Sequence, residues 1–470
     1  MPQNQPASKD IDISIVDIFI LLIDDKNLMK EICDKTIKSF LPIMNKPILF
    51  YQLEFLERQN IKEVHLLANK DNIVLTNTLI SGYVGPIKID LIEISDQGLE
   101  IFTKIKSKLT KNNFILIEGD SILSFNLSEF LDFHIDNKNL VSLILQKKEP
   151  NFSKFAFSKD ETLNAFGVDE DNNNKIVFYN QRKPDNNEAL KINRDILKRC
   201  ESFKLLLNYM DIGFYIFNDS VFHIIDAIND KDSKDKSGQK NKSKVVIESI
   251  KEDFIPFLVK NTFYKKLNIV LINNYDGGLL KANRIRINAK IINNDKNITS
   301  EYCYKIYDYP SYFATIEEIQ KPYDSIRPIF FQTKNNEKNY FFNFAEKIQD
   351  NLENKKRYND GIPELENISE NSYIASKGGK IEKGVKINKT VAQANMEIKE
   401  GSQVISCLIG TNSVIGKNCK LTNCIIGKDS TIGDNCEISE CIISEGYNVA
   451  EKTVASQKIL SKENEDLDFS

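Results

Sequence analysis

The sequence lacks several features that would assign it to a common functional class. Its formal net charge is −4, so it has no basic excess, and we expect no direct nucleic-acid partner. The apolar run at residues 11–23 is short and interrupted by acidic residues, so no membrane span is expected. Residues 1–10 are polar, which predicts a loose tail and no signal peptide.

Glycine is absent from the region where a phosphate-binding loop would lie, and histidine is absent from the C-terminal quarter of the chain. No glycine precedes Gly82, so a glycine-rich phosphate loop cannot follow the first predicted strand. The three histidines, His65, His134 and His223, all lie outside the C-terminal quarter of the chain. Eight cysteines in a chain of this size favour reduced thiols, which predicts a cytosolic protein.

Residues 381–449 contain a repeat in which small aliphatic residues recur every seventeen positions. A fixed period of this length is typical of a solenoid. Neighbouring columns are offset by five or six residues, as expected for three short strands per coil. The columns are Ile381, Ile398, Ile415, Ile432 and Val449; Ile387, Val404, Leu421 and Ile438; and Ala392, Ile409, Ile426 and Ile443.

Residue types that accept positive φ angles recur between the predicted strands, at two positions in each coil. These are the types found at tight turns. One set is Gly384, Gly401, Asn418 and Asn435, and the other is Asn395, Asn412, Asp429 and Gly446. The repeat therefore predicts a triangular β-helix, with one aliphatic side chain from each side of the triangle pointing inward.

Five cysteines also follow the seventeen-residue period. They are Cys407, Cys424 and Cys441, and Cys419 and Cys436. A zinc site would require closely spaced cysteine pairs, so we interpret them as packing ladders and expect no metal. The ends of the β-helix expose unpaired strand edges, which predicts a scaffold that also forms an interface.

The N-terminal part of the chain alternates apolar strand patterns with amphipathic helix patterns. Such alternation predicts a doubly wound α/β sheet. The predicted strands are residues 15–23, 64–68, 89–94, 114–118, 140–146, 213–217 and 302–306. The predicted helices are residues 47–60, 99–109, 247–259 and 309–319.

The length of 470 residues predicts more than one domain. We expect an α/β domain that includes a polar, lysine-rich insertion predicted to be disordered. The predicted boundaries are residues 1–10 for the tail, 11–320 for the α/β domain, 229–244 for the insertion, 321–372 for a linker, 373–455 for the β-helix and 456–470 for a polar tail.

This domain order resembles the sugar-nucleotide pyrophosphorylase family. Residues 38–56 are similar to that family's Pro-Lys-x-Leu-Leu-Pro-Ile…Lys-Pro-Leu segment, and Gly119–Asp120 is similar to its metal-binding Gly-Asp pair. The resemblance implies a nucleotidyltransferase-like (Rossmann-like) domain followed by a left-handed, hexapeptide-repeat β-helix. Many β-helices of this type are acyltransferases that use a histidine. None of the histidines lies in the repeat, so we do not expect acyl transfer.

The catalytic parts of that family do not carry over. Its Gly-x-Gly-Thr-Arg loop is replaced by residues 24–28, where Asp24 and Asp25 would repel a triphosphate. One close pair of like unit charges costs ~4 kcal/mol at an effective dielectric near ~20. We therefore interpret Lys38, Asp120 and Asp211 as remnants of a lost site. Lys38 is predicted on a surface loop, Asp120 in a turn that ends a strand, and no metal or cofactor is expected.

A more specific resemblance is to the gamma-subunit family of eukaryotic translation initiation factor 2B. It rests on residues 41–47, 53–58 and 249–259, and on a Tyr-Cys-Tyr segment at 302–304 before a helix. The resemblance implies a non-catalytic subunit that pairs with the epsilon subunit, joins other subunits of that complex, and promotes GDP/GTP exchange on initiation factor 2. The epsilon subunit adds a C-terminal helical domain, which the sequence after Val449 is expected to be too short to form.

Two other functions remain open at this stage. An active nucleotidyltransferase would join a hexose 1-phosphate to a nucleotide with magnesium, using Lys38, Asp120 and Asp211. A regulatory subunit of a pyrophosphorylase would bind a sugar nucleotide without converting it.

Overall fold

The computed structural model of the protein describes residues 15–23, 29–33, 37–43, 46–83, 85–94, 98–148, 163–182, 192, 194–233, 247–262, 285–292, 301–320, 346–347, 372–374 and 379–462. They form an α/β domain followed by a β-helix. Among these residues, no helix is both long and apolar enough to cross a membrane.

The α/β domain contains a large sheet with helices on both faces. Its strands are β1 (Val16–Leu22), β2 (Pro42–Ile43), β3 (Lys46–Pro47), β4 (Glu63–Asn69), β5 (Lys88–Ile94), β6 (Asn113–Glu118), β7 (Ser121–Ser124), β8 (Val141–Lys147), β9 (Leu163–Asp169), β10 (Lys175–Arg182), β11 (Lys204–Leu206), β12 (Tyr209–Asn218), β13 (Ile287–Ile292) and β14 (Tyr302–Lys305). Its α-helices are α1 (Lys30–Cys33), α2 (Ile48–Arg58), α3 (Lys70–Ile80), α4 (Glu100–Lys108), α5 (Leu127–Asp136), α6 (Arg194–Arg199), α7 (Val221–Ser233), α8 (Ile255–Asn261) and α9 (Tyr309–Gln320). Single 3-10 turns lie at Lys38–Phe40 and Glu170–Asn172, and a π turn lies at Ile250–Phe254.

Ten strands form the main sheet in the order β11-β9-β10-β13-β8-β12-β6-β1-β4-β5. Strands β6, β1, β4 and β5 are parallel, as the sequence pattern predicts. Strand β12 is antiparallel to both of its neighbours, β6 and β8, so the sheet as a whole is mixed. Because β1 is central, it is buried on both faces, which explains its continuous apolar sequence.

Two apolar cores cover the two faces of this sheet. Helix α2 packs Leu49, Leu53 and Leu56 into one of them, and all three side chains are fully buried. Helix α4 packs Phe102 into the other core, where its ring contacts Phe217 and Phe254. Each buried side chain of this size contributes about 1.5–3 kcal/mol to stability.

The structure has regular elements near three of the predicted domain boundaries. Helix α7 continues to Ser233, so the first residues of the segment predicted as disordered (229–244) are helical. The rest of that segment lies outside the described residues. Strand pairs also extend the β-helix on both sides of the predicted range 373–455. They reach Leu460 at one end, and at the other Glu346–Lys347, within the predicted linker, forms an antiparallel pair with Tyr373–Ile374.

Three sheets of short strands form the sides of the β-helix. The first side is β15 (Glu346–Lys347), β16 (Tyr373–Ile374), β19 (Val391–Ala392), β22 (Leu408–Ile409), β25 (Ile425–Ile426), β28 (Ile442–Ile443) and β31 (Ile459–Leu460). The second is β17 (Lys380–Ile381), β20 (Glu397–Ile398), β23 (Val414–Ile415), β26 (Thr431–Ile432) and β29 (Asn448–Val449). The third is β18 (Lys386–Asn388), β21 (Gln403–Ile405), β24 (Lys420–Thr422), β27 (Glu437–Ser439) and β30 (Val454–Ser456).

The predicted inward columns are confirmed. All thirteen aliphatic residues of the three columns are buried in one core cluster. Successive coils pair in parallel with a seventeen-residue offset, as in Ile398 opposite Ile415. These parallel sheets fit the left-handed β-helix that the family resemblance implies.

All eight residues predicted at the two corners have positive φ angles, between 54° for Asn418 and 74° for Gly401. The third corner also has positive φ angles, although the sequence analysis did not identify it. Its residues are Lys389, Ser406, Asn423, Glu440 and Gln457. Because only one of these five is a residue type that favours this conformation, the geometry of the coil imposes it.

The cysteine ladders lie inside the β-helix. All five thiols are buried, and sulfur atoms donate to backbone carbonyls of the following coil, as Cys419 does to Gly433 at 3.1 Å. Cys436 makes the equivalent contact with Ala450 at 3.1 Å. The ladders therefore contribute to coil packing.

One side of the β-helix packs against the α/β domain. On the first side, the outward residues Val391, Leu408, Ile425 and Ile442 are also aliphatic, and they share a buried cluster with the aromatic residues of α9. Among the described residues, the Glu445 N–H of the β-helix donates to the Glu31 carbonyl of the α/β domain at 2.9 Å. Within the α/β domain, the Tyr309 hydroxyl donates to the Glu31 carboxylate at 2.6 Å. The two domains therefore share a hydrophobic core.

Candidate functional site

The candidate site lies at the carboxyl end of β6, in the middle of the main sheet. In open α/β sheets, ligands bind outside the carboxyl ends of the strands. Glu118 is the last residue of β6, and Gly119 and Asp120 form the turn to β7. Both carboxylates are largely buried, with 17% of the Glu118 side chain and 14% of the Asp120 side chain exposed.

Lys305 contacts both carboxylates. Strand β14 is antiparallel to β7 and places Lys305 opposite Ser121, the residue after Asp120. The next residue along the chain, Ile306, donates its N–H to the Asp120 carbonyl at 2.9 Å. From this position the Lys305 ammonium donates to Glu118 and to Asp120. Burial alone would lower the pKa of Lys305, but the two carboxylates raise it well above its usual value.

Lys38 also contacts Asp120. It lies near the N-terminal end of the α/β domain, whereas Lys305 lies near the C-terminal end. Lys38 is in the 3-10 turn at Lys38–Phe40, and its ammonium is 3.5 Å from the Asp120 carboxylate. The turn packs directly on Gly119, where a Cβ atom would overlap the Ser39 hydroxyl. The prediction of a surface loop is therefore wrong for Lys38, which is only 7% exposed. The structure brings Lys38 and Asp120 together.

Lys251 provides the third ammonium of the site. It lies in the π turn that precedes α8, where the Ser249 hydroxyl accepts the Glu252 N–H at 3.2 Å. The Lys251 ammonium donates to Glu118 at 2.9 Å. Burial of Glu118 would raise its pKa, but Lys251 and Lys305 outweigh this effect and hold the pKa well below its usual value.

A buried amide holds the turn that carries the two carboxylates. Gln52 of α2 is fully buried, and its Nε2 donates to the Glu118 carbonyl at 2.8 Å and to the Ser121 carbonyl at 2.9 Å. The turn is therefore fixed by a side chain of α2, a helix that begins directly after residues 38–47. This contact connects the segment at 38–56 to the end of β6 by hydrogen bonds.

Asp211 is not part of the Lys38–Asp120 contact. It lies at an irregularity of β12, is fully buried, and accepts hydrogen bonds from Tyr179 at 2.8 Å, from Tyr215 at 3.0 Å and from the Gly213 N–H at 2.8 Å. Burial raises its pKa, although the nearby Lys251 acts in the opposite direction. Gly213 has a φ of +77°, and a Cβ there would overlap the Glu118 side chain.

A divalent metal of the kind used by nucleotidyltransferases does not fit the residues at this site. Magnesium requires open oxygen ligands at about 2.0–2.1 Å. Here, lysine ammonium groups contact the carboxylates of Glu118 and Asp120, and Asp211 has its own hydrogen bonds. Within the described residues, no three His, Cys, Asp or Glu side chains form a group suited to a metal ion. The segment 24–28, predicted to replace the phosphate loop, lies outside those residues.

Sequence reasoning missed Glu118, Lys251, Lys305 and Gln52. One signal was present for Lys305, which is a single charge within an otherwise apolar strand at 302–306. A charged residue on a buried strand requires a partner of opposite charge. The identity of that partner depends on strand pairing between distant segments, so the sequence alone could not supply it.

Comparisons with known proteins agree with this architecture. Residues 29–255 match a family model described as nucleotidyl transferase, and residues 362–460 match one described as the GMPPB C-terminal domain. The two matches follow the order of the α/β domain and the β-helix. The first confirms the nucleotidyltransferase-like fold of the α/β domain.

Curated proteins that are similar to this chain include two subunits of a translation initiation factor and a nucleotidylyltransferase. The translation initiation factor eIF2B subunit gamma of Schizosaccharomyces pombe is 26% identical over 302 residues, covering 60% of this chain and 60% of that protein. The subunit gamma of Dictyostelium discoideum is 26% identical over 259 residues, covering 51% of this chain and 56% of that protein. A bifunctional sugar-1-phosphate nucleotidylyltransferase/acetyltransferase of Sulfurisphaera tokodaii is 25% identical over 148 residues, covering 28% of this chain and 36% of that protein.

The chain thus spans less than two thirds of the length of each of these relatives. Its combination of a nucleotidyltransferase domain and a C-terminal β-helix matches what the sequence resemblance implies. In sequence and in domain order, this chain is similar to the gamma subunit of translation initiation factor eIF2B.

Proposed function

We propose that the chain is a non-catalytic scaffold or regulatory subunit of a guanine-nucleotide exchange complex of the initiation factor 2B type. In this role it pairs with an epsilon subunit and joins the other subunits of the complex. Together they promote GDP/GTP exchange on initiation factor 2 in the cytosol. The chain itself uses no metal or cofactor.

The observation that carries this proposal is the pairing of Asp120 with Lys38 and Lys305. Phosphoryl transfer depends on cations that stabilise the charge of the transferred group. At this site, carboxylates that would hold such a cation are already neutralised by the chain's own lysines. The similarity to gamma subunits supports a scaffold or regulatory role in place of nucleotidyl transfer.

The contact between the domains supports a scaffold role. The outward residues Leu408, Ile425 and Ile442 of the β-helix are buried against the α/β domain. A shared apolar core of this kind favours one relative orientation of the two domains. A subunit that must present both domains to its partners benefits from such rigidity.

Reconstitution tests the proposal. The purified full-length chain is mixed with an epsilon subunit, and association is measured by size-exclusion chromatography with light scattering. Release of labelled GDP from initiation factor 2 is then measured with epsilon alone, with this chain alone, and with both. We expect a stable complex and faster release with both than with epsilon alone. The absence of both association and enhancement would overturn the proposal.

A second candidate function is sugar-phosphate nucleotidyl transfer. It is favoured by the nucleotidyl transferase match at residues 29–255 and by the similarity to a sugar-1-phosphate nucleotidylyltransferase. Incubation with nucleoside triphosphates, hexose 1-phosphates and magnesium decides it, because an enzyme would release pyrophosphate. Calorimetry with a panel of sugar nucleotides tests the related role of a pyrophosphorylase regulatory subunit. The scaffold proposal expects neither turnover nor binding.

A further inference from the structure

The Lys305 ammonium lies between the carboxylate of Glu118, at the end of β6, and that of Asp120, in the turn that follows. It donates to Glu118 and Asp120, and only 6% of its side chain is exposed. Lys251 flanks Glu118 and Lys38 flanks Asp120, so the two carboxylates are surrounded by three ammonium groups. Of the three, only Lys305 contacts both carboxylates.

We infer that Lys305 is a built-in cation that takes the place of a divalent metal ion between Glu118 and Asp120. Carboxylate oxygens are ligands that suit Mg²⁺ and Mn²⁺. The two carboxylates converge on one ammonium, which is the arrangement a metal ion would otherwise require. The chain therefore carries a latent metal site that its own lysine fills. This inference concerns the α/β domain alone and does not depend on the proposed exchange function.

The backbone holds Lys305 in place. Strand β14 is paired with β7 from Tyr302, opposite Ser124, to Lys305, opposite Ser121. The bond from the Ile306 N–H to the Asp120 carbonyl extends this pairing to the residue that bears the carboxylate. The ammonium can leave the carboxylates only if its side chain is withdrawn from a buried position. A metal ion from solution would therefore have to displace the Lys305 ammonium, which is held in place by the backbone.

The same lysine connects the site with the β-helix. Helix α9 begins at Tyr309, four residues after Lys305, and its residues Tyr312 and Phe313 lie in the cluster shared with Leu408 and Ile425. A metal ion would neutralise the carboxylates without linking them to the chain segment that leads into α9. The replacement therefore couples the end of β6 to the segment on which the β-helix packs.

Manganese binding tests the inference, with free Mn²⁺ measured by electron paramagnetic resonance. We expect no saturable site that depends on Asp120 in the wild-type chain. In Lys305→Met, we expect a saturable Mn²⁺ site that is roughly tenfold or more tighter than any residual Mn²⁺ binding by the wild type, because the ammonium shared by the two carboxylates is gone. The double variant Lys305→Met/Asp120→Asn should lose this binding.

Lys46→Met is the matched control. Lys46 is also a largely buried lysine, with 14% of its side chain exposed, and it pairs with Glu54. Its removal leaves Glu54 paired with Arg58, and Lys46 is not an ammonium shared by two carboxylates as Lys305 is. We expect Lys46→Met to bind no more Mn²⁺ than the wild type. Equal binding by Lys46→Met and Lys305→Met would overturn the inference.

Two measurements keep the test decisive if Lys305→Met does not fold. Lys305→Gln also removes the charge and keeps a hydrogen-bond donor, and we expect it to gain Mn²⁺ binding. A folded Lys305 variant without this gain would overturn the inference. The wild-type chain is tested directly as well: saturable Mn²⁺ binding that Asp120→Asn abolishes would mean that a metal, and not Lys305, serves as the cation.

Discussion

The β-helix and the α/β domain bury their side chains in different ways. In the β-helix, each inward aliphatic residue packs on another seventeen positions away, as Ile415 does on Ile398 and Ile432. In the α/β domain, Lys305 reaches Glu118 across 187 positions of sequence. The first domain depends on a local apolar repeat, and the second also depends on buried charges that meet only in the folded state.

This difference teaches where each domain is vulnerable. The buried cluster inside the β-helix consists of aliphatic residues, cysteines and Met396, so it needs no charged partners. The site in the α/β domain contains buried carboxylates and ammonium groups. Removal of one of these groups leaves a buried charge without its partner, which we expect to destabilise the fold. We therefore expect the α/β domain to lose stability when a buried charge is removed. We expect the β-helix to lose stability when an inward side chain is truncated.

The largest effect is expected for Glu118→Gln. This change leaves Lys251 and Lys305 without one of their counter-charges in a buried site. Breaking a buried ion pair costs about 3–5 kcal/mol in the free energy of unfolding. Urea unfolding followed by circular dichroism measures the loss. The control is Glu63→Gln, because the pair of Glu63 with Lys88 is exposed to solvent and its loss should cost much less. A cost equal to that of the control would contradict the importance of the buried charges.

A comparable but smaller effect is expected for Ile415→Ala in the middle of the β-helix. Ile415 is fully buried, and truncation of such a residue costs about 2–5 kcal/mol because a cavity remains. The control is Val414→Ala on the same strand, where the half-buried side chain points outward. Thermal unfolding of both variants measures the difference. If Val414→Ala were as costly as Ile415→Ala, the inward column would not be the main source of stability.

Acid should destabilise the α/β domain through His134. Burial lowers the pKa of His134 to about 3 in the folded chain, below its usual value of 6.5. Above pH 6.5 the group is neutral in both states and has no effect. As the pH falls from 6.5 towards 3, the unfolded state takes up a proton that the folded state does not. Stability is then lost by about 1.4 kcal/mol per pH unit.

Unfolding measured at several pH values checks this dependence. His134→Gln should reduce the slope between pH 6 and pH 4. Equal slopes for the wild type and His134→Gln would exclude His134 as the source.

The smallest effect is expected at a corner of the β-helix. Asn418 has a φ of 54°, and alanine accepts this conformation less readily. Asn418→Ala should therefore cost roughly 1–2 kcal/mol. Asn418→Gly is the control, because glycine adopts positive φ without strain, and it should cost less than alanine. Thermal unfolding measures both, and an equal or larger cost for glycine would show that the side chain of Asn418 matters more than its backbone conformation.

The repeat and the strands near the N-terminus could be predicted from the sequence. Inward columns and two corners were identified because contacts in a solenoid recur at a fixed spacing. The third corner was missed because residues such as Lys389 and Glu440 do not favour positive φ. The strands β9, β10 and β13 were also missed, and the antiparallel course of β12 was not predicted, since strand order depends on distant pairing.

The candidate site could be predicted only in part. Lys38 and Asp120 were identified from the family resemblance, and the structure places them 3.5 Å apart. Asp211 was grouped with them, but it forms its own hydrogen bonds with Tyr179 and Tyr215. Lys305 was overlooked, because its role depends on the pairing of β14 with β7 and not on any pattern of neighbouring residues.

By itself, the sequence determined that residues 381–449 form a three-sided β-helix. Each coil repeats the same short pattern, so that packing is decided between residues at a constant separation. The tertiary structure alone decided that the carboxylates at the end of β6 face three lysines from distant segments. The physical reason is that a buried charge is satisfied by whichever group the fold brings near it, and that group can lie anywhere along the chain.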